Sequence, residues 1–174
     1  MDETPLYNNH ISQNDLPSCT IEEERKIPFC CVIPLPHGFR LVPYCKPQLV
    51  YNIGCLGTTK EMCRKTIQVE DCGQTEIDLH ILKAKGCISF LVNIDVEPVC
   101  EKDVCSSAPH TKEMILCCEG TVCVDQTLKC SINCLPDTHL DCEHVQVCDL
   151  QAKPICEDCC HFIKVTGYFQ ICSD

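Results

Sequence analysis

Apolar and polar residues alternate along most of this chain, and the period is two. Ile77, Leu79 and Ile81 alternate with Glu76, Asp78 and His80, the mark of a half-buried strand. After Lys83-Ala84-Lys85-Gly86, a second run puts Ile88, Phe90, Val92, Ile94 and Val96 on one face and Ser89, Asn93 and Asp95 on the other. The glycine-containing link between these runs predicts a hairpin or a sheet-to-sheet corner. Val122, Val124, Leu128, Cys130, Ile132 and Cys134 share even positions, and Gln126 interrupts them where a bend is expected. Val145 and Val147 mark another short strand. Ile163, Val165, Phe169 and Ile171 mark the last, with Gly167 a bulge or a close contact.

Helical periodicity is thin. Segments 22–26 and 59–65 have room for a turn or two of helix, but neither carries an apolar stripe. Pro28, Pro34, Pro36, Pro43 and Pro47 punctuate the early strands, which suits edge strands and loops. Short strands at close spacing predict an all-β fold, an antiparallel β-sandwich or jelly-roll-like domain rich in disulfides. Residues 1–18 hold turn formers and strand breakers and no period, so 1–19 reads as a connector arm ahead of a domain over 20–174. A frayed terminus is the plain alternative. The sharper expectation is strand addition to a neighbouring subunit, fixed through Cys19. The stretch from Glu97 to Thr111 is the most loop-like internal segment and could divide two β units, 20–98 and 112–174. Faint echoes such as Cys30-Cys31 against Cys117-Cys118 suggest duplication, but their offsets disagree.

Composition changes this picture at one residue type. The chain is 45% hydrophobic and 22% charged, as a globular protein is, yet 21 of its 174 residues are cysteine. That is about 12%, a density associated with small secreted disulfide scaffolds. This chain is long enough to fold on apolar burial alone, so many thiols are expected to serve durability or cross-linking. The net charge of −11 and the lack of any basic cluster longer than Arg64-Lys65 exclude a nucleic-acid footprint. No apolar run is long enough to span a membrane. The first nineteen residues show no basic n-region and no apolar h-region, so synthesis in the cytoplasm without a signal peptide is expected. Abundant thiols in a reducing compartment need a reason. Metal binding, a hyperthermophilic source, non-classical export, or assembly in a cell that later lyses would each supply one.

Three thiol chemistries compete. Zinc wants short paired spacings, and the lone C-x2-C is Cys156 to Cys159, with Cys160 and His161 adjoining and Cys142 and His144 near. A nucleophilic cysteine needs a base and an orienting group, and nothing singles one thiol out. No P-loop, dinucleotide fingerprint or nucleophile elbow occurs, so no enzyme activity and no cofactor are expected. Disulfides fit the wide spread best. In the vicinal pairs Cys30-Cys31, Cys117-Cys118 and Cys159-Cys160, successive side chains alternate across a strand, one inward and one outward. Such pairs suit one bond within the fold and one to a neighbour, although inward thiols such as Cys130 can be plain small hydrophobes. Twenty-one is odd, so one cysteine cannot pair within the chain. Candidates for inter-subunit bonds are those six residues with Cys19 and Cys172.

The segments KIPFCCVIPLP, LKAKGCISFLVNIDVEPVC and CCHFIKVTGYFQI resemble cysteine-rich spore-surface proteins of endospore-forming bacteria. They are similar to short β domains of spore coat and exosporium proteins and to endospore appendage subunits, over roughly residues 26–172. The resemblance implies a self-polymerising, disulfide-reinforced component without catalysis, whose partners are its own copies and related spore-surface proteins. A thiol-rich metal-binding or adhesion module is the alternative expectation.

Overall fold

A computed structural model describes residues 26–70, 73–99, 114–157 and 160–172. The arm 1–19 lies outside them, and the side chains of 156, 157 and 160 are not described. Seven strands are described: β1 (Lys26–Pro34), β2 (Phe39–Leu41), β3 (Gln48–Val69), β4 (Gly73–Pro98), β5 (Met114–Ser131), β6 (Val145–Glu157) and β7 (Cys160–Ile171). A 3₁₀ turn at Cys142–His144 leads into β6. Asp141 caps it, accepting from the Glu143 backbone N–H at 2.9 Å. The fold is all-β and every strand pairing is antiparallel, as the period of two predicts.

One sheet has the order β1-β7-β6. In the other, β4 is central. Val96 pairs with both Leu41 and Met114, so β2 and β5 flank β4 on opposite edges. Asn93 pairs with Gln48 and Cys117, so β3 follows β2 along the same edge. The halves on either side of Glu97–Thr111 interlace in both sheets, since β4 pairs with β5 and β1 with β7. Pro28 and Pro34 sit in β1, an edge strand where a missing N–H disturbs no second ladder.

The two sheets share one apolar core. Phe29, Cys31 and Ile33 of β1 and Ile163, Val165, Phe169 and Ile171 of β7 meet Ile88, Phe90, Val92, Ile94 and Val96 of β4. Phe169 is fully buried among three rings, with centroids at 4.8 Å to Phe29, 5.6 Å to Tyr51 and 5.9 Å to Phe90. The Tyr51 hydroxyl donates to the Val145 carbonyl oxygen at 2.6 Å, tying β3 to β6. Gly167 is the close contact its position in β7 suggested. A Cβ there would lie 2.6 Å from Cζ of Phe29.

Two sequence expectations are corrected. The runs 76–81 and 88–96 are not separate strands about a turn, because β4 continues through Lys83–Gly86 without a break. Gly86 serves close approach instead. It has φ 137°, and a Cβ there would fall 1.9 Å from the Cys55 carbonyl oxygen. The cause lies opposite, where β3 carries one extra residue between Asn52 and Cys55. Segment 59–65 is strand, not helix, held in register against β4 from Thr59↔Lys83 to Lys65↔Ile77. Tertiary pairing overrides its weak local preference.

Pairing of β5 with β4 ends at His80↔Ser131, whereas β3 and β4 stay paired to Val69↔Gly73. The hairpin therefore runs on beyond β5 as a two-stranded ribbon.

Candidate functional site

Cross-strand partners share a sheet face, so the register assigns the outer face of the β3-β4-β5 sheet. Apart from Gly86, even positions of β4 from Leu82 to Val96 point into the core, and odd positions face away. Cys87 is odd. It pairs with Cys55 on β3 and with Cys123 on β5, giving three thiols in one row across three strands. Cys55 and Cys123 are exposed and Cys87 is half-buried. The bulge creates this row. Ile53 is buried on the inner face, and strict alternation would have turned Cys55 inward as well.

The same face carries further thiols. Cys117 pairs with Asn93, Cys130 with Ile81 and Cys63 with Leu79, each opposite an odd position of β4. Burial first, and then the neighbouring Cys55 and Cys123, raise the Cys87 thiol above its ordinary range. Beside the row lies a charge cluster in which Lys83 Nζ stands 3.2 Å from Glu61 Oε2 and 3.6 Å from Asp125 Oδ1. Hydrogen bonds from Lys85 and then Lys83 hold the Glu61 carboxyl below the usual carboxylate range.

A second thiol environment lies where the layers meet at their β1 and β5 edges. Cys31, 8% exposed, faces the core beside Cys118 of the opposite sheet. Its thiol is pushed up to about 12, first by burial, then by its hydrogen bond with Cys118, then by the nearby Cys118 and Cys30. Both described vicinal pairs divide as alternation predicts. Cys30 and Cys117 are exposed, while Cys31 and Cys118 turn inward and meet each other. Cys31 and Cys118 thus face their own chain. Cys30 opens onto a groove of about 650 Å³ with Pro28, Asp149, Lys164 and Tyr168 on its walls.

The remaining candidates are dispersed. Cys19 and Cys159 lie outside the described residues, and Cys160 is placed by backbone alone, paired with Glu157 at the start of β7. Cys172 is half-buried, its N–H donating to the His144 carbonyl oxygen at 2.8 Å. The alternative metal set Cys156, Cys159, Cys160 and His161 has His161 exposed opposite Cys156, and the thiols of that set are not among the described side chains. Among the described residues no group of three His, Cys, Asp or Glu side chains is arranged to hold a metal ion. The described cysteines are free thiols, and Cys31 is the sole one among them classed as buried. No helix among the described residues is long and apolar enough to cross a membrane.

Sequence reasoning missed the Cys55-Cys87-Cys123 row. A signal was present: Cys55 and Cys87 are set symmetrically about the same midpoint in sequence as the terminal β3–β4 pair Val69 and Gly73, and each follows a glycine. Treating 83–86 as the turn placed the hairpin axis wrongly and hid the symmetry.

Comparison with known proteins points to one family. The family described as "CryBP1 protein" matches residues 22–166. An uncharacterized 20 kDa protein in the cryB1 5′ region of Bacillus thuringiensis subsp. kurstaki is 37% identical over 139 residues, covering 80% of this chain and 79% of that one. No solved structure matches significantly. The chain belongs to the CryBP1 family.

Proposed function

We propose that this CryBP1-family chain is a structural, non-catalytic subunit that assembles with its own copies and is cross-linked by disulfides in a layer or fibre at the spore surface. The observation that carries this reading is the placement of the thiols. The core is aliphatic and aromatic, and of the described cysteines it takes only Cys31 as a buried member. Cys30, Cys55, Cys117, Cys123, Cys130, Cys134 and Cys142 stand exposed. Folding needs none of these outward thiols, and a bond from any of them to another chain costs no buried contact. The spore setting draws on the resemblance of its cysteine-bearing segments to spore-surface proteins, and the relative comes from Bacillus thuringiensis subsp. kurstaki. Thiols made in a reducing compartment would be oxidised once the cell around them is gone.

Electrophoresis of air-oxidised protein, with and without reductant, tests the assembly. A ladder that collapses to a single band at 19.5 kDa on reduction is the expected result. Monomer in both lanes, with stoichiometric zinc in the purified protein, would overturn it in favour of a metal-binding module.

A further inference from the structure

The three-thiol row has a property that no isolated pair shares. Cys87 has a cysteine opposite it on each side, and its sulfur can bond only one at a time. The row holds at most one disulfide and always leaves one thiol over. Cys55 and Cys123 lie two strands apart, about 9–10 Å, beyond disulfide reach. Every bond within the row therefore involves Cys87. Both alternatives are sterically accessible, because facing residues on antiparallel strands have Cα separations of about 4.5 or 5.5 Å, inside the disulfide range. A strand residue sends its N–H and C=O to one edge, so in a regular ladder Cys87 is hydrogen-bond-paired on one side only. The two bonds are near in geometry without being equivalent.

We propose that Cys55, Cys87 and Cys123 form a thiol–disulfide exchange site that stores one disulfide and hands it to a cysteine of a second copy of the chain. The proposal rests on the assembly reading above and names the site that would do the linking. A small-molecule disulfide, RSSR, loads the row. The Cys123 thiolate attacks one sulfur and releases RS⁻, and the Cys87 thiolate then attacks Cys123 Sγ and releases the second. Two protein thiols lose two electrons and two protons, and RSSR becomes two RSH. The Cys55 thiolate next attacks Cys87 Sγ, forming Cys55–Cys87, breaking Cys87–Cys123 and expelling Cys123 as thiolate, which takes up the proton Cys55 gave. This step involves no net oxidation. The free thiol moves from one outer strand of the sheet to the other, since β3 and β5 are both edges. A thiolate from a second copy performs the same displacement on Cys87. It leaves an intermolecular disulfide and one released row thiol, again with no oxidant consumed.

The local chemistry favours this order. Cys55 and Cys123 are exposed and so are the accessible attacking and leaving groups, whereas the half-buried Cys87 is the shared electrophile. Lower-pKa thiols leave faster, and the raised Cys87 thiol is the poorer leaving group. Displacement at Cys87 Sγ is therefore the favoured direction.

The test uses the full chain, reduced and then oxidised with glutathione disulfide, its remaining thiols trapped with N-ethylmaleimide before digestion without reductant. Tandem mass spectrometry is expected to find Cys55–Cys87 and Cys87–Cys123 in one preparation, with one trapped thiol per row. C55S should leave only the second bond, C123S only the first, and C87S neither. Oxidised protein freed of glutathione and mixed under argon with reduced ¹⁵N-labelled protein should give mixed-isotope disulfide dimers, at least tenfold slower in C87S. Three trapped row thiols after oxidation, or transfer in C87S at the wild-type rate, would overturn the proposal. If C87S still builds the full reducible ladder in air, assembly stands and the row is not its exchange site. If the row forms both bonds but wild-type protein never cross-links, the assembly reading fails instead and takes the transfer step with it.

Discussion

Cys31 and Cys118 meet as free thiols between the two sheets at one edge, and oxidation of that pair should be the largest single redox effect on stability. The bond would close a loop of roughly 90 residues, worth about 4.6 kcal/mol at 25 °C in the chain-entropy picture. A domain of this size shifts its Tm by about 2–4 °C per kcal/mol, so the full effect is roughly 9–18 °C. Cys31→Ala also removes a buried sulfur, a cost of about 1 kcal/mol that is present whether or not the bond forms. Thermal unfolding followed by circular dichroism separates the two contributions. In reductant, wild type and Cys31→Ala should differ by only a few degrees. After oxidation the gap should widen by about 10 °C or more, and Cys118→Ala and the double variant should fall by the same amount. That non-additivity is the mark of a shared bond. Every other cysteine is common to wild type and Cys31→Ala, so its oxidation largely cancels in the difference. An equal gap in both conditions would refute the reasoning.

Gly86→Ala should destabilise by about 3 kcal/mol or more, because a φ of 137° disfavours any Cβ and the new atom would meet the Cys55 carbonyl; urea titration measures it. Phe169→Ala, at the centre of the aromatic cluster, should cost about 3–5 kcal/mol and lower the urea midpoint accordingly. In native reduced protein, iodoacetamide at pH 8 should modify Cys31 at least tenfold more slowly than Cys55 or Cys123, read by mass spectrometry, because a thiol pushed up to about 12 offers little thiolate. The same raised thiol makes reduced protein lose stability as pH rises above the ordinary thiol range toward 12, an effect that Cys31→Ala should diminish. Glu61 gives the opposite sign: its lowered carboxyl contributes above the ordinary carboxylate range and loses that contribution as pH falls through its folded value. The Tm difference between wild type and Glu61→Gln should therefore shrink toward zero in acid.

The period of two in the sequence was enough to read the strands and much of the core. Ile88, Phe90, Val92, Ile94 and Val96 line the interior as their alternation implies, and so do Ile163, Val165, Phe169 and Ile171. Where alternation failed, a backbone irregularity intervened. Gly86 reads locally as a turn, yet it lies within β4 at a positive φ, because the demand on it comes from a bulge about thirty residues away in sequence and adjacent in space. The even position of Cys130 put it among the inward thiols, with a plain small hydrophobe as the alternative to a disulfide, yet it is exposed. Pairing of β5 with β4 slips between Leu82 and Lys83, and beyond that slip the even positions of β5 no longer stay buried. The pairs Cys30-Cys31 and Cys117-Cys118 were legible because alternation is local. The Cys55-Cys87-Cys123 row was not, because it depends on the register of three strands at once.

That difference bears on how folding and cross-linking can be kept apart. A buried thiol such as Cys31 is protected from oxidants by its raised titration and by the residues packed over it. Cys55 and Cys123 on the outer face are exposed instead, so they react with whatever meets the surface first. On the assembly route proposed above, that is first a pool of small thiols, in which the chain would fold and pack its copies without covalent error. Once that pool were lost, exposed thiols held against neighbouring copies would react at high effective concentration, faster than thiols on freely diffusing chains. Order of exposure then sets order of bonding, with the surface first and the Cys31–Cys118 edge last. Timed alkylation during air oxidation should show Cys55 and Cys123 consumed before Cys31. The reverse order would mean that the sheets are stapled before the copies are joined, and the outer thiols would then be latecomers rather than the linking chemistry.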